Sequence, residues 1–243
     1  MHACTYLIKE KNSTHDSILI TDFSLPQLKC RIILAASNYG EHMKRILIGV
    51  LVFSTHVAFA ISKPCGGEPG KRHINGRGFV SNQASVSVTA YIGVGASVCG
   101  HAKVEDKARV VANATISGNA RVSNNAIVSS DAIVSGNTIV SGDAKITGKA
   151  TLTGNASVGG TAIIAGHAWV DEMAKISDSA KVYGDAIVNG QASVNGYARV
   201  YDLSRVSGNA KVYGSALIAG RARISQNAFV CLGLTVKDIT TNK

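Results

Sequence analysis

Alanine returns at every sixth residue of this chain from position 84 to position 234, 26 positions in all, and only Thr138, Ser204 and Leu234 break the series. Two residues after each of these positions stands Val, Ile or Leu, without exception. No insertion or deletion disturbs the phase. Each unit reads Ala-x-Val-x-Gly-Asn/Asp, as in Ala210-Lys211-Val212-Tyr213-Gly214-Ser215. Its first four residues alternate small, variable, aliphatic, variable, which is the period of a short strand with one face buried. The Gly, Asn and Asp that follow tolerate the positive φ of a tight turn. A strand and a two-residue turn, repeated without pause, wind the chain into a polygonal coil. One coil cannot bury its aliphatic residues alone, so successive coils must stack. The composition suits this: 25 Gly, 3 Pro and 5% aromatic residues leave small side chains to fill the interior. Gly78-Phe79-Val80 reads as a degenerate unit ahead of the run.

The repeat resembles that of the hexapeptide-repeat proteins of the bacterial transferase hexapeptide type, which form left-handed parallel β-helices. The resemblance spans the 26 units. It implies three units per triangular coil, and left-handed winding where crossovers are ordinarily right-handed. The expected fold is all-β, a single-stranded left-handed parallel β-helix of about 26 units in eight to nine coils, occupying 78–236. At roughly 4.8 Å between stacked strands it is about 40 Å long. Residues 61–77 contain Pro64, Pro69 and several Gly and read as an N-terminal cap; 237–243 read as a polar C-terminal tail.

The segment 1–60 differs in character. Residues 43–60 carry Lys44 and Arg45, then an apolar run from Ile46 to Phe53, then Val57-Ala58-Phe59-Ala60. This is the pattern of a signal peptide cleaved near Ala60, and its apolar run is too short for a membrane span. Residues 1–42 have no periodicity. Gly40-Glu41 is encoded by codons that can read as a ribosome-binding sequence just before Met43, so 1–42 is expected to be a non-native upstream extension. Export to the periplasm or the cell exterior follows, with no transmembrane span in the mature chain. From Ile61 onward there are 19 Lys and Arg against 11 Asp and Glu, a net charge of +8. Three cysteines remain in that part, Cys65, Cys99 and Cys231, in a compartment where disulfides are permitted. Ser62-Lys63-Pro64 ahead of Cys65 does not resemble a lipoprotein processing site.

Residues after each Ala and after each aliphatic point outward, and residues three units apart stack. Lys181 and Arg199 stack in this way, as do Tyr183 and Tyr201, all on one face. Cations beside aromatic rings suit a sugar ring or an anionic polymer, so these four are the candidate ligand-binding residues. The same residue types also fit exposed strand positions that only keep a rod soluble. Lys175, Arg205, Lys211, Arg221 and Arg223 are scattered around the triangle, with Arg205 and Arg223 stacked on another face. That distribution lacks the directed basic stripe of a nucleic-acid binder. Ile127, Ile133 and Ile139 ring one coil on all three faces and are the candidate homo-oligomer contact. Cys99 and Cys231 point outward but are more than seven coils apart, so no disulfide joins them. Cys65 is within reach of Cys99, which makes Cys231 the candidate free or intermolecular thiol.

The resemblance also implies enzymes to consider, since relatives include acyltransferases and zinc carbonic anhydrases. Acyltransferases of this type carry a catalytic His, a projecting loop and a C-terminal helical segment. The unbroken phase leaves no place for such a loop, and only a short tail follows the last unit. The candidates are His101 and His167, in turn positions on different corners and several coils apart, with His73 in the cap. They do not form the three-histidine set of a zinc site. No metal and no cofactor is expected. A threonine ladder of the ice-binding kind is reduced to Thr151-Leu152-Thr153, flanked by Ile133/Ser135 and Trp169/Asp171. The reading is an exported structural or binding rod with a carbohydrate or an envelope or protein partner; the alternative is a hexapeptide-family acyltransferase.

Overall fold

The computed structural model of the 243-residue chain describes residues 18–25, 28–35 and 64–242. The chain divides into two units, Met1–Val57 and Ala58–Lys243. In the first, Ile18–Leu25 pairs antiparallel with Leu28–Ala35. The signal-peptide segment 43–60 and most of residues 1–42 lie outside the described residues.

The second unit is a parallel β-solenoid with three flat faces, all-β apart from a short 3-10 turn at Pro64–Gly67. The first face is an 11-stranded sheet, and the second and third faces have nine strands each, so the chain makes about nine turns. Along the repeat each strand pairs with the third strand on, as Thr115 with Ile133, Arg121 with Ile139 and Ile127 with Lys145. Three hexapeptides therefore make one coil. The regular strands are two residues long, shorter than the four-residue alternation, because the corners take up the rest. Between strands the backbone continues the ladder: Lys181 N–H donates to the Ala198 carbonyl at 2.9 Å and Tyr183 N–H to that of Val200 at 3.0 Å.

Inside, the alanine and aliphatic positions from Ala90 to Ile224 are at most 1% exposed. Alanine stands where two faces converge, and the branched side chains fill the middle of the triangle. Thr138 and Ser204 occupy alanine positions at 0% exposure. Each hydroxyl donates to a carbonyl three residues earlier, Thr138 to Ser135 and Ser204 to Tyr201, so the buried polar atom is satisfied. From Gly100 on, the fifth residue of each unit turns the corner with positive φ. A Cβ at Gly136 (φ 71°) would lie 2.6 Å from the Gly154 carbonyl oxygen of the next coil, which is why glycine stacks on glycine there. Where Asp replaces Gly, its carboxylate repairs the loss: Asp178 and Asp202 accept the backbone N–H of Gly196 and Gly220 at 2.9 and 3.0 Å. The sixth residue builds side-chain ladders up the corner, as from Asn119 to Asn137 to Asn155 at 3.0 and 2.9 Å.

The two ends differ. At the N-terminal end Gly70–Arg72 lies antiparallel on Phe79–Ser81 and covers the edge of the first face. A Cys65–Cys99 disulfide (Cα–Cα 5.4 Å) fastens the segment down. Glu68 adds a second fastening, its carboxylate accepting the Gly100 N–H at 3.1 Å. At the other end the described residues, through 242, carry one more strand. Thr240–Asn242 adds a parallel strand to Arg223–Ser225. Its register slips by one position: Arg223 pairs with Thr240, where an unbroken repeat would bring Thr241. The last strands of the second and third faces are Phe229–Val230 and Thr235–Lys237.

Candidate functional site

On the third face the strands Lys145–Ile146, Ile163–Ile164, Lys181–Val182 and Arg199–Val200 pair in register, so Lys145, Ile163, Lys181 and Arg199 form one outward row. Beside it runs a row of corner residues, Asp143, Thr161, Ser179 and Tyr197. The two rows enclose an open groove of about 440 Å³ that crosses four coils. The hydroxyls of Thr161 and Ser179 are 2.9 Å apart in its wall. Tyr197 stands at the rim, 70% exposed. The groove thus holds three cations and one carboxylate, with hydroxyls and one aromatic ring in reach.

The four residues singled out from the sequence do lie together on this face, but not as one site. Lys181 and Arg199 line the groove. Tyr183 and Tyr201 stand on the other side of the cationic row, stacked on each other with centroids 5.1 Å apart and planes 5° from parallel. Each ring therefore gives up one face to its neighbour. Burial, and secondly the neighbouring Tyr201, raises the Tyr183 phenol above the ordinary tyrosine range, while Arg199 opposes the shift. Tyr183 is neutral at physiological pH and able to donate a hydrogen bond. Asp143, Lys145, Thr161, Ile163, Ser179 and Tyr197 were not singled out from the sequence. The signal was available for Lys145, which lies two coils below Lys181 in the same row. Tyr197 and its corner row carried none, because a turn residue's lean is not set by the strand alternation.

The other candidates are dispersed. His101 is exposed near Glu68 at the cap end, at the corner before the second face. His167 precedes the first face, its Nδ1 3.3 Å from an Asp185 carboxylate oxygen, both largely exposed. His73 is buried in the cap, with Nδ1 bonded to the Asn75 backbone. Among the described residues no group of three His, Cys, Asp or Glu is placed to hold a metal ion. Among them, too, no helix is long and apolar enough to cross a membrane. Ile127, Ile133 and Ile139 stand on the third, first and second faces; the last two are exposed and Ile127 is half-buried. Arg205 and Arg223 pair on the first face, while Lys175 and Lys211 stand on the second. Cys99 projects from the first face as its register requires, but it is only 5% exposed, because the cap lies over it. Cys231 is a free, half-buried thiol on the last coil. Its hydrogen bond with Tyr213 is the main cause that raises the Tyr213 phenol.

A family model described as YdcK beta solenoid repeat matches residues 114–130, inside the solenoid. Among solved structures the chain is similar to a UDP-N-acetylglucosamine acyltransferase from Campylobacter jejuni. The identity is 14% over 64% of this chain and 71% of that one, with a TM-score of 0.25. A likeness at that level carries no argument about activity. No curated protein matches the chain.

Proposed function

We propose that this protein is an exported binding rod that holds an anionic, carbohydrate-like polymer along the third face of its solenoid. The observation that carries the reading is the groove, where Lys145, Lys181 and Arg199 share one row with no acid in it. At roughly 4.8 Å per coil, Lys181 lies about 10 Å and Arg199 about 14 Å from Lys145 along the axis. A rigid ladder fixes these distances before any ligand arrives, so little ordering cost attends binding. The Thr161 and Ser179 hydroxyls suit sugar hydroxyls, and the net charge of +8 beyond residue 60 favours an anionic partner. Export rests on the signal-peptide pattern of residues 43–60.

The test is affinity for heparin and for alginate, as probe polyanions, at several salt concentrations. The Lys145→Ala/Lys181→Ala/Arg199→Ala variant is expected to bind at least tenfold more weakly and with a shallower salt dependence. Equal affinity of variant and wild type removes the reading. The acyltransferase alternative keeps one supporting observation, the His167–Asp185 pair, whose Nδ1 and carboxylate oxygen are 3.3 Å apart. Saturable binding of an acyl-CoA, lost in His167→Ala, would favour it over the rod.

A further inference from the structure

The first face carries a feature that the third-face groove does not use. The chain has one tryptophan, Trp169, in the middle of the 11-stranded sheet, and it is 48% exposed. Its neighbours in the outward row are uncharged, Thr151 on one side and Ile187 on the other. The nearest cation of that row, Arg205, is two coils away. Two residues after Trp169 on the same side of the chain comes Asp171, about 7 Å along it. One Asp171 oxygen accepts the Glu172 N–H, which orients the carboxylate. The next coil places Asn189 beside Asp171. Asn189 Oδ1 is buried without a hydrogen-bond partner, alone in this among the described side-chain oxygens and nitrogens. Such a group carries a desolvation cost, and with its oxygen turned inward the Asn189 amide has its NH2 left to donate on the outer side.

We infer that Trp169, Asp171 and Asn189 form a second binding site, for a neutral β-linked oligosaccharide of glucose or N-acetylglucosamine type. The chemistry is complementary on both counts. A pyranose with equatorial substituents has a flat apolar C–H face, which suits an exposed indole. The same sugar carries its hydroxyls around the rim, where the Asp171 carboxylate can accept and the Asn189 amide NH2 can donate. An anionic polymer is disfavoured here, because Asp171 and Glu172 are the nearest charges in the strand and its turn. The site is therefore chemically distinct from the third face and stands or falls independently of it.

Because Trp169 is the sole tryptophan, its emission reports on this site directly. The full-length protein is titrated with cellotetraose and with chitotetraose. A saturable blue shift or quench with at least one of them is expected. It should persist unchanged in about 0.5 M salt, which screens a polyanion contact. Asp171→Ala, which keeps the fluorophore, is expected to weaken it at least tenfold. The Lys145→Ala/Lys181→Ala/Arg199→Ala variant is expected to leave it unchanged, which separates failure of this site from failure of the groove. Calorimetry on Trp169→Ala, with far-ultraviolet circular dichroism to show that the solenoid is intact, is expected to show no binding. No saturable response to either tetrasaccharide overturns the inference, as does equal binding by folded Asp171→Ala or Trp169→Ala.

Discussion

The two ends of the solenoid meet the same problem with different means. A parallel sheet cannot stop without leaving a row of unpaired backbone groups. At the N-terminal end an antiparallel strand, a disulfide and a carboxylate are all applied to one edge, that of the first face. At the C-terminal end the chain adds one more parallel strand. Exposed apolar side chains stand at both ends, Ile74, Val88 and Val94 at the first and Phe229, Leu232, Leu234 and Ile239 at the last. None of the N-terminal devices belongs to the hexapeptide. The repeat propagates itself but holds no instruction for ending, so closure must be written in non-repetitive sequence. One end is fastened across segments of the chain, and the other is extended by a strand alone.

The comparison is open to breakage at several levels. The largest effect is expected from a charge in the core. Val98 is fully buried beneath the fastened end, and Val98→Asp should cost about 4 kcal/mol or more. Val236→Asp on the last third-face strand should fray that coil alone, at about 1–2 kcal/mol, since solenoid stability is close to a sum over neighbouring coils. Thermal unfolding and hydrogen exchange check the pair, and equal losses would dissolve the distinction between the ends. Next, Cys65→Ser/Cys99→Ser opens a loop with a sequence separation of 34, worth about 3–4 kcal/mol by chain entropy. Exchange should rise at residues 64–81 and 97–100 and stay flat beyond about the third coil.

A smaller effect concerns the self-association that the exposed apolar residues lead us to propose. Phe229→Lys/Leu234→Lys at the open end should lower the association constant about tenfold in sedimentation, roughly 1.4 kcal/mol. Ile133→Lys/Ile139→Lys on the faces should lower it less; the reverse order would move the contact to the isoleucine ring. Smallest is the acid response of the fastening. The Glu68 carboxyl is held below the ordinary glutamate range, chiefly by the Gly100 N–H and then by the Ser81 side chain. A depressed carboxylate stabilises the fold above its unfolded pKa and loses that contribution as pH falls through the folded value. Protection factors at the cap should therefore fall as pH drops below the ordinary glutamate value of about 4.3, and Glu68→Gln should flatten that dependence.

The repeat made the interior legible, because alanine and an aliphatic residue in fixed phase leave one stacking period that buries both. It also put Lys181 over Arg199 and Tyr183 over Tyr201, since outward positions inherit the same period. It could not show that the tyrosines would pair with each other and stand apart from the groove; ring packing depends on side-chain lean across a coil. The corner row of Asp143, Thr161, Ser179 and Tyr197 was hidden for a similar reason. The partner of Cys99 was a matter of reach alone, because nothing periodic fixes where Cys65 falls. The strand at Thr240–Asn242 escaped notice because its register slips by one position, and a phase search sees only the loss of the pattern.

The unbroken three-hexapeptide register makes the molecule behave like a combination dial. Adding or removing three hexapeptides would change its length by one notch, about 4.8 Å, and leave every downstream side chain pointing where it did. Adding or removing a single hexapeptide would keep alanine and aliphatic inside, yet turn everything beyond it by a third of a revolution. Interior and exterior are thus decoupled. A chain of this kind can reshuffle its whole outer lettering in one step without disturbing what holds it together.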